Sequence, residues 1–295
     1  MNTAQQLGYP EHTKLLIIHA DDAGLSHSHN RATVQCLDIG IVNSYSIMVP
    51  CPWYYEIAVF AKNNPKYDYG IHLTLTCEWN NYKFGPVAPL SEVPSLVDEN
   101  GYFYKTREEL RQHAKPEHVA KELDTQIQKA LDFGLKPTHL DVHMYSVGAH
   151  ADFFKAYKNV GKTYTLPIMV SGELLAMVGL NPNQIIKPED LTTQKIHIGN
   201  FDLFQADALN EYYAHVAENL VPGLNVLLLH PAYDDKEMKA ITIDHPNFGA
   251  EWRQIDTDFF TNPKNKSLFE HEDIRMVTWE ELQTVIPRPH KQSKP

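Results

Sequence analysis

Long apolar runs, positive charge and paired cysteines are all scarce in this 295-residue chain. No stretch approaches the roughly 20 consecutive apolar residues that a membrane-spanning helix needs, so no membrane association is expected. Lys and Arg number 26 against 37 Asp and Glu, a formal net charge of −11. That deficit, with the basic residues scattered, argues against nucleic acid or an anionic lipid surface as a partner. Cys36, Cys51 and Cys77 are odd in number and lack metal-finger spacing, which excludes a disulfide framework. The opening residues MNTAQQLGYPEHTK show no basic region followed by a long apolar segment. No secretory signal is therefore read there, and a soluble, cytoplasmic, reducing location is the expectation. With no repeat, low-complexity tract or linker, residues 1–295 are read as one domain.

What the chain does contain is a core-forming 43% of apolar residues and a regular alternation of apolar runs with helical patterns. Eight runs read as strands: 14–20, 43–49, 69–75, 138–143, 164–170, 195–200, 225–230 and 274–278. The clearest helix is 116–133, where Val119, Leu123, Ile127, Ala130 and Leu131 share a face, Pro116 suits the first turn and Gly134 the stop. Residues 30–39, 152–160 and 208–220 follow the same pattern more weakly. Repeated βα units of this kind predict an α/β fold with a parallel sheet, and a distorted TIM-like barrel of seven or eight strands in particular. Two stretches, 78–112 and 233–263, break the rhythm and are read as irregular insertion loops after strands, where barrel enzymes place substrate-contacting residues.

The segment KLLIIHADD ends a strand buried on both faces with two adjacent carboxylates, Asp21 and Asp22. Like charges repel there, and neither is buried cheaply without a partner. A divalent cation would supply that partner. His72 lies within the third strand, while His143 and His230 end the fourth and seventh. The C-terminal strand ends of a parallel barrel converge on one rim, so these distant residues can meet. One carboxylate and two imidazoles suffice to hold a catalytic cation with positions left for water and substrate. Adjacent strand residues point to opposite sides, so one aspartate is expected on the metal and the other on the attacking water. Simple helix capping is the plainer explanation of the pair, but Ser26 and Asn30 could cap equally well. His12, His113, His118 and His215 are read as structural, and His27 and His29 as surface residues leading into the first helix.

LLIIHADDAGLSHSHNRAT, YGIHLTLT, HLDVH and HPAY followed by Arg253 resemble, in order and spacing, the motifs of the YdjC-like carbohydrate deacetylases. PSLVDENGYFY resembles that family's insertion segment, and the similarity runs from about Lys14 to Ile286. The resemblance implies a metal site at the barrel's C-terminal rim that hydrolyses acetamido groups on sugars. It implies Asp22, His72 and His143 as metal ligands and Asp21 as the base. His230 matches the histidine that acts as acid or stabilises the tetrahedral intermediate. Arg253 is expected to hold Asp21 or a substrate oxygen. Glu78, Trp79 and Tyr145 are expected to line the sugar pocket, and Asp141 to orient a histidine. His19 stands where the motif has Asn, Ala23 where it has Phe, and Tyr145 where it has a further His, the marks of a divergent branch.

The function expected is therefore metal-dependent hydrolysis of the N-acetyl amide of an amino sugar or small oligosaccharide. The ligand set suits zinc first, then manganese, cobalt or iron, with magnesium less favoured by nitrogen donors. A sugar isomerase or phosphoesterase on the same barrel is the alternative, weakened by the lack of Lys and Arg in the motif segments. A non-catalytic carbohydrate-binding protein would have no use for both aspartates. The partner expected is a small carbohydrate, with a homo-oligomer an ordinary possibility.

Overall fold

The computed structural model describes residues 2–39 and 41–286, so residues 1, 40 and 287–295 of the expected single unit lie outside the described residues. Seven strands form one sheet: β1 (Lys14–Ala23), β2 (Ser44–Ile47), β3 (Asp68–Leu73), β4 (Leu140–Val142), β5 (Lys195–Ile198), β6 (Gly223–Leu229) and β7 (Ile274–Met276). All pairings are parallel, in the order β4-β3-β2-β1-β6-β5. β7 pairs with the first residues of β1, on Lys14 to Leu16, while β2 pairs further along from His19. The sheet curls into a half-barrel, consistent with the TIM-like expectation but not closed among the described residues. Leu15 to Ile18 are fully buried, as a strand covered on both faces requires.

The fifth expected strand, 164–170, does not form. The preceding helix Ala151–Tyr164 runs into it, Thr165 turns the chain at φ 56°, and Pro167 offers no N–H to a ladder. What remains is two parallel bridges, Leu140 to Ile168 and Ser171 to Thr193, across the gap between β4 and β5. The expected helix 208–220 is divided into Leu209–Ala214 and a 3-10 turn at Ala217–Asn219. There the Asn219 amide donates to the His215 carbonyl and competes with the helical pattern.

The helix Pro116–Phe133 forms with the expected ends, Gly134 closing it at φ 94°. Its buried Glu122 accepts from the Val87 and Ala88 N–H groups, each at 2.9 Å, and Gln126 bonds both N–H and C=O of Thr74. Those bonds moor the 78–112 segment beside the end of β3. The 233–263 segment is more regular than its sequence suggested, holding helices Lys236–Ile241 and Ala250–Thr261. The second helix buries Arg253, Asp256 and Thr257 among its apolar residues, which hid its periodicity.

Candidate metal centre

The aspartate pair sits in a β-bulge. The β1–β2 register shifts between Ala20 and Ala23, and Asp22 takes φ 66°, a conformation that Asp tolerates better than most residues. Strict alternation, which would have sent the two carboxylates to opposite sides, is thereby broken. Both reach one imidazole: Asp22 Oδ1 lies 3.3 Å from His72 Nε2, and Asp21 Oδ1 lies 3.7 Å from His72 Nδ1. A second sharp turn follows β4, where Met144 and Tyr145 have φ 53° and 49°. It swings His143 back so that Nδ1 lies 3.0 Å from Asp22 Oδ1. Arg107 from the 78–112 segment pins this corner by donating to the Met144 carbonyl at 3.0 Å.

Asp22, His72 and His143 thus present three buried ligand atoms within 4.8 Å of one another. Neighbouring donors around an ion with bonds of about 2.1 Å stand about 3.0–3.4 Å apart, which the Asp22 contacts match. His72 Nε2 is buried and makes no hydrogen bond, an orphan atom that a cation would satisfy. Its other nitrogen lies 2.9 Å from Asp141 Oδ1 and 3.0 Å from Ser46 Oγ, which leaves the Nε2 lone pair for a ligand. His143 Nε2 lies 2.9 Å from Glu78 Oε2 in the same fashion. Burial opposes charge on His143, yet the Glu78 and Asp22 carboxylates outweigh it and raise its pKa to about 9. Burial likewise opposes charge on His72, but Asp141 and Asp21 hold it well above the ordinary imidazole range. The cavity therefore calls for positive charge, from protons or from a cation that displaces them. The residues present fit a divalent ion.

Around this core the expected residues fall into different positions. His230 follows β6 with Nε2 3.7 Å from Asp21 Oδ2; its Nδ1 has no partner and its ring packs on Phe248. Burial, only partly offset by Asp22 and Asp21, lowers it to about 4, a neutral ring. Arg253, expected on Asp21 or a substrate oxygen, instead donates to Asp22 Oδ2 at 2.9 Å. Nε of Arg253 donates to the Phe248 carbonyl, and Nη1 meets His29 Nδ1 at 3.2 Å. His29 is therefore no surface residue: it is fully buried, with Nε2 donating to the Asp21 carbonyl at 2.7 Å. His27 is half exposed and paired with Glu56.

Glu78, Trp79 and Tyr145 offer almost no free surface for a sugar. Glu78 is spent on His143, as given above. Trp79 is enclosed between His245 and the Arg253 guanidinium, and the Tyr145 ring packs on Phe154. The Glu78–His143 and Arg253–Asp22 contacts were not read from the sequence because both join segments that no local pattern connects. His19 was noted only as a departure from a motif, yet it lies between Asp21 and Asp141, at 3.2 and 2.8 Å.

A curled parallel half-barrel with an Asp-His-His cluster at its C-terminal strand ends, and a second Asp in contact with it, defines an α/β protein with a candidate metal centre. A family profile described as YdjC-like protein matches residues 15–271, and the chain belongs to that family. It is 32% identical to the carbohydrate deacetylase of Thermus thermophilus, covering 90% of this chain and 89% of the relative. It is 33% identical to the carbohydrate deacetylase of Clostridium beijerinckii, covering 88% and 99%. A solved Enterococcus faecalis protein, assigned provisionally to cellobiose-phosphate cleavage, shares the fold at TM-score 0.75 and 24% identity, over 92% of this chain and 99% of that one.

Proposed function

We propose that the protein is a metal-dependent deacetylase that hydrolyses the N-acetyl amide of an amino sugar or small oligosaccharide and releases acetate. The observation that carries this is the convergence of Asp22, His72 and His143 with Asp21 beside them and His230 beyond. The names of the relatives point to the same substrate class. A divalent cation, zinc first, supplies Lewis acidity toward the amide carbonyl and makes water more acidic there. Asp21, with no ligand duty, would hold and deprotonate that water and return the proton to the amine nitrogen as the C–N bond breaks. His230, as a neutral ring, donates an N–H to the oxygen on which charge develops. Arg253 and Glu78 hold Asp22 and His143 in place. Met144, next to His143, lines a cleft of about 750 Å³ with Arg107 and Val178, room enough for a sugar.

Arg253 is held by Asp22 and so is not free to clamp a phosphate, which weighs against the phosphoesterase alternative. The three free, buried cysteines agree with a cytoplasmic, reducing location. The test is acetate release from a panel of N-acetylated sugars by metal-stripped protein resupplied with zinc, manganese, cobalt, iron or magnesium. Release that needs metal and is abolished by Asp21→Asn supports the reading. Silence across the panel with cleavage of phosphate esters overturns it.

A further inference from the structure

His19 is a buried polar ring at this centre to which the proposed reaction gives no task. Its side chain is 1% exposed. Nε2 lies 2.8 Å from Asp141 Oδ2, 3.2 Å from Asp21 Oδ1 and 3.1 Å from Ser46 Oγ, while Nδ1 lies 3.0 Å from Ser44 Oγ. The two serines take the hydrogen-bond positions of the ring, and Asp141 Oδ2, which has no other hydrogen-bond partner, and Asp21 Oδ1 meet its Nε2 edge at ion-pair distance.

We propose that His19 is a positioning residue of this centre: its Nε2 edge, in ion-pair contact with both, ties Asp141, which aims His72, to Asp21, and so sets the base against the ligands. This rests on the deacetylase reading. Four carboxylates, Asp21, Asp22, Glu78 and Asp141, are buried here, and Arg253 is the guanidinium among them. Buried anions without partners are costly. A divalent cation and Arg253 leave one negative charge over, and an imidazolium at position 19 answers it. Burial opposes that charge, but Asp141 and Asp21 outweigh it and raise the ring to about 9.

The rival occupant is a second cation held by His19, His139 and Asp141, whose ligand atoms are close enough. His139 argues against it. Its Nε2, though without a hydrogen-bond partner, stands 3.8 Å from Asp141 Oδ2, wider than the spacing of about 3.0–3.4 Å between neighbouring donors on one ion.

The test combines nitrogen NMR of histidine-labelled, zinc-loaded protein with kinetics and metal analysis of His19→Ala and His19→Asn. Both His19 ring nitrogens are expected to be protonated near neutral pH, with resonances assigned through contacts to the His139 ring. His19→Ala is expected to lower kcat about ten- to a hundredfold while KM stays within about twofold and one zinc per chain is kept. His19→Asn, which can donate but carries no charge, is expected to recover part of that loss. A neutral ring, an unchanged kcat in folded His19→Ala, or a second metal equivalent lost with His19 would each overturn the proposal. If the wild type releases acetate from no sugar, the deacetylase reading fails, and the protonation state of the ring still decides for or against His19. The NMR arm stands on the wild type alone should a variant not fold.

Discussion

Replacing Arg253 by Met keeps much of the side-chain volume and removes the guanidinium from Asp22. Both partners are 1% exposed, so in metal-stripped protein the variant leaves a buried carboxylate with His143 but without its guanidinium counter-charge. Breaking one side of such a pair costs about 3–5 kcal/mol. The Phe248 carbonyl and His29 Nδ1 also lose their donor, but these losses overlap with the first, so about 4 kcal/mol is the expected total. A cation on Asp22 compensates the same carboxylate from the other side, and the cost then falls to about 2 kcal/mol. Linkage turns the difference into zinc affinity: about 2 kcal/mol corresponds to roughly thirtyfold tighter binding by the variant. Urea denaturation of wild type and Arg253→Met, each stripped and zinc-saturated, measures both costs, and zinc titration measures the affinity. Equal costs in the two states, or a cost below about 1 kcal/mol when stripped, would refute the reasoning.

Glu78→Gln removes the carboxylate from His143 Nε2, and zinc affinity by chelator competition is expected to fall about ten- to a hundredfold. Asp256, which accepts from the backbone N–H of His230 and the Tyr213 hydroxyl, is raised by burial from 3.8 to about 6. Between those values the folded chain keeps a proton that the unfolded chain gives up, so this group's contribution is full below about pH 4 and is lost as pH rises through about 6. The stability of wild type relative to Asp256→Asn should drop by about 3 kcal/mol across that window in urea titrations, and a flat difference would exclude a buried neutral carboxyl. Gly70→Ala drives a methyl group to 2.4 Å from His139 Nε2, whose ring is stacked on Trp279 and has little room to retreat. A loss of about 1–3 kcal/mol in denaturant midpoint analysis is expected, and an unchanged midpoint would show that the ring moves freely.

Much of the site was legible in sequence because its members occupy strand ends, and strands announce themselves locally. The run Leu15 to Ile18, the boundaries Pro116 and Gly134, and the order of Asp21, Asp22, His72 and His143 along the chain needed only periodicity, end signals and a motif resemblance. The run 164–170 misled for a local reason too: its apolar composition is strand-like, but a helix ends inside it and Pro167 cannot donate.

The sequence by itself therefore determined the parallel α/β architecture and picked out the carboxylates and imidazoles that the structure brings together. Tertiary structure alone decided how they face one another. The bulge at Asp22 sets both carboxylates on His72, and that positive φ is held by neighbours rather than demanded by propensity. Glu78 reaches His143 from a moored insertion, Arg253 reaches Asp22 from a helix 231 positions away, and His29 is drawn inside between Arg253 and the Asp21 carbonyl. Contacts across such separations depend on how the sheet curls, and no pattern along the chain records that curl.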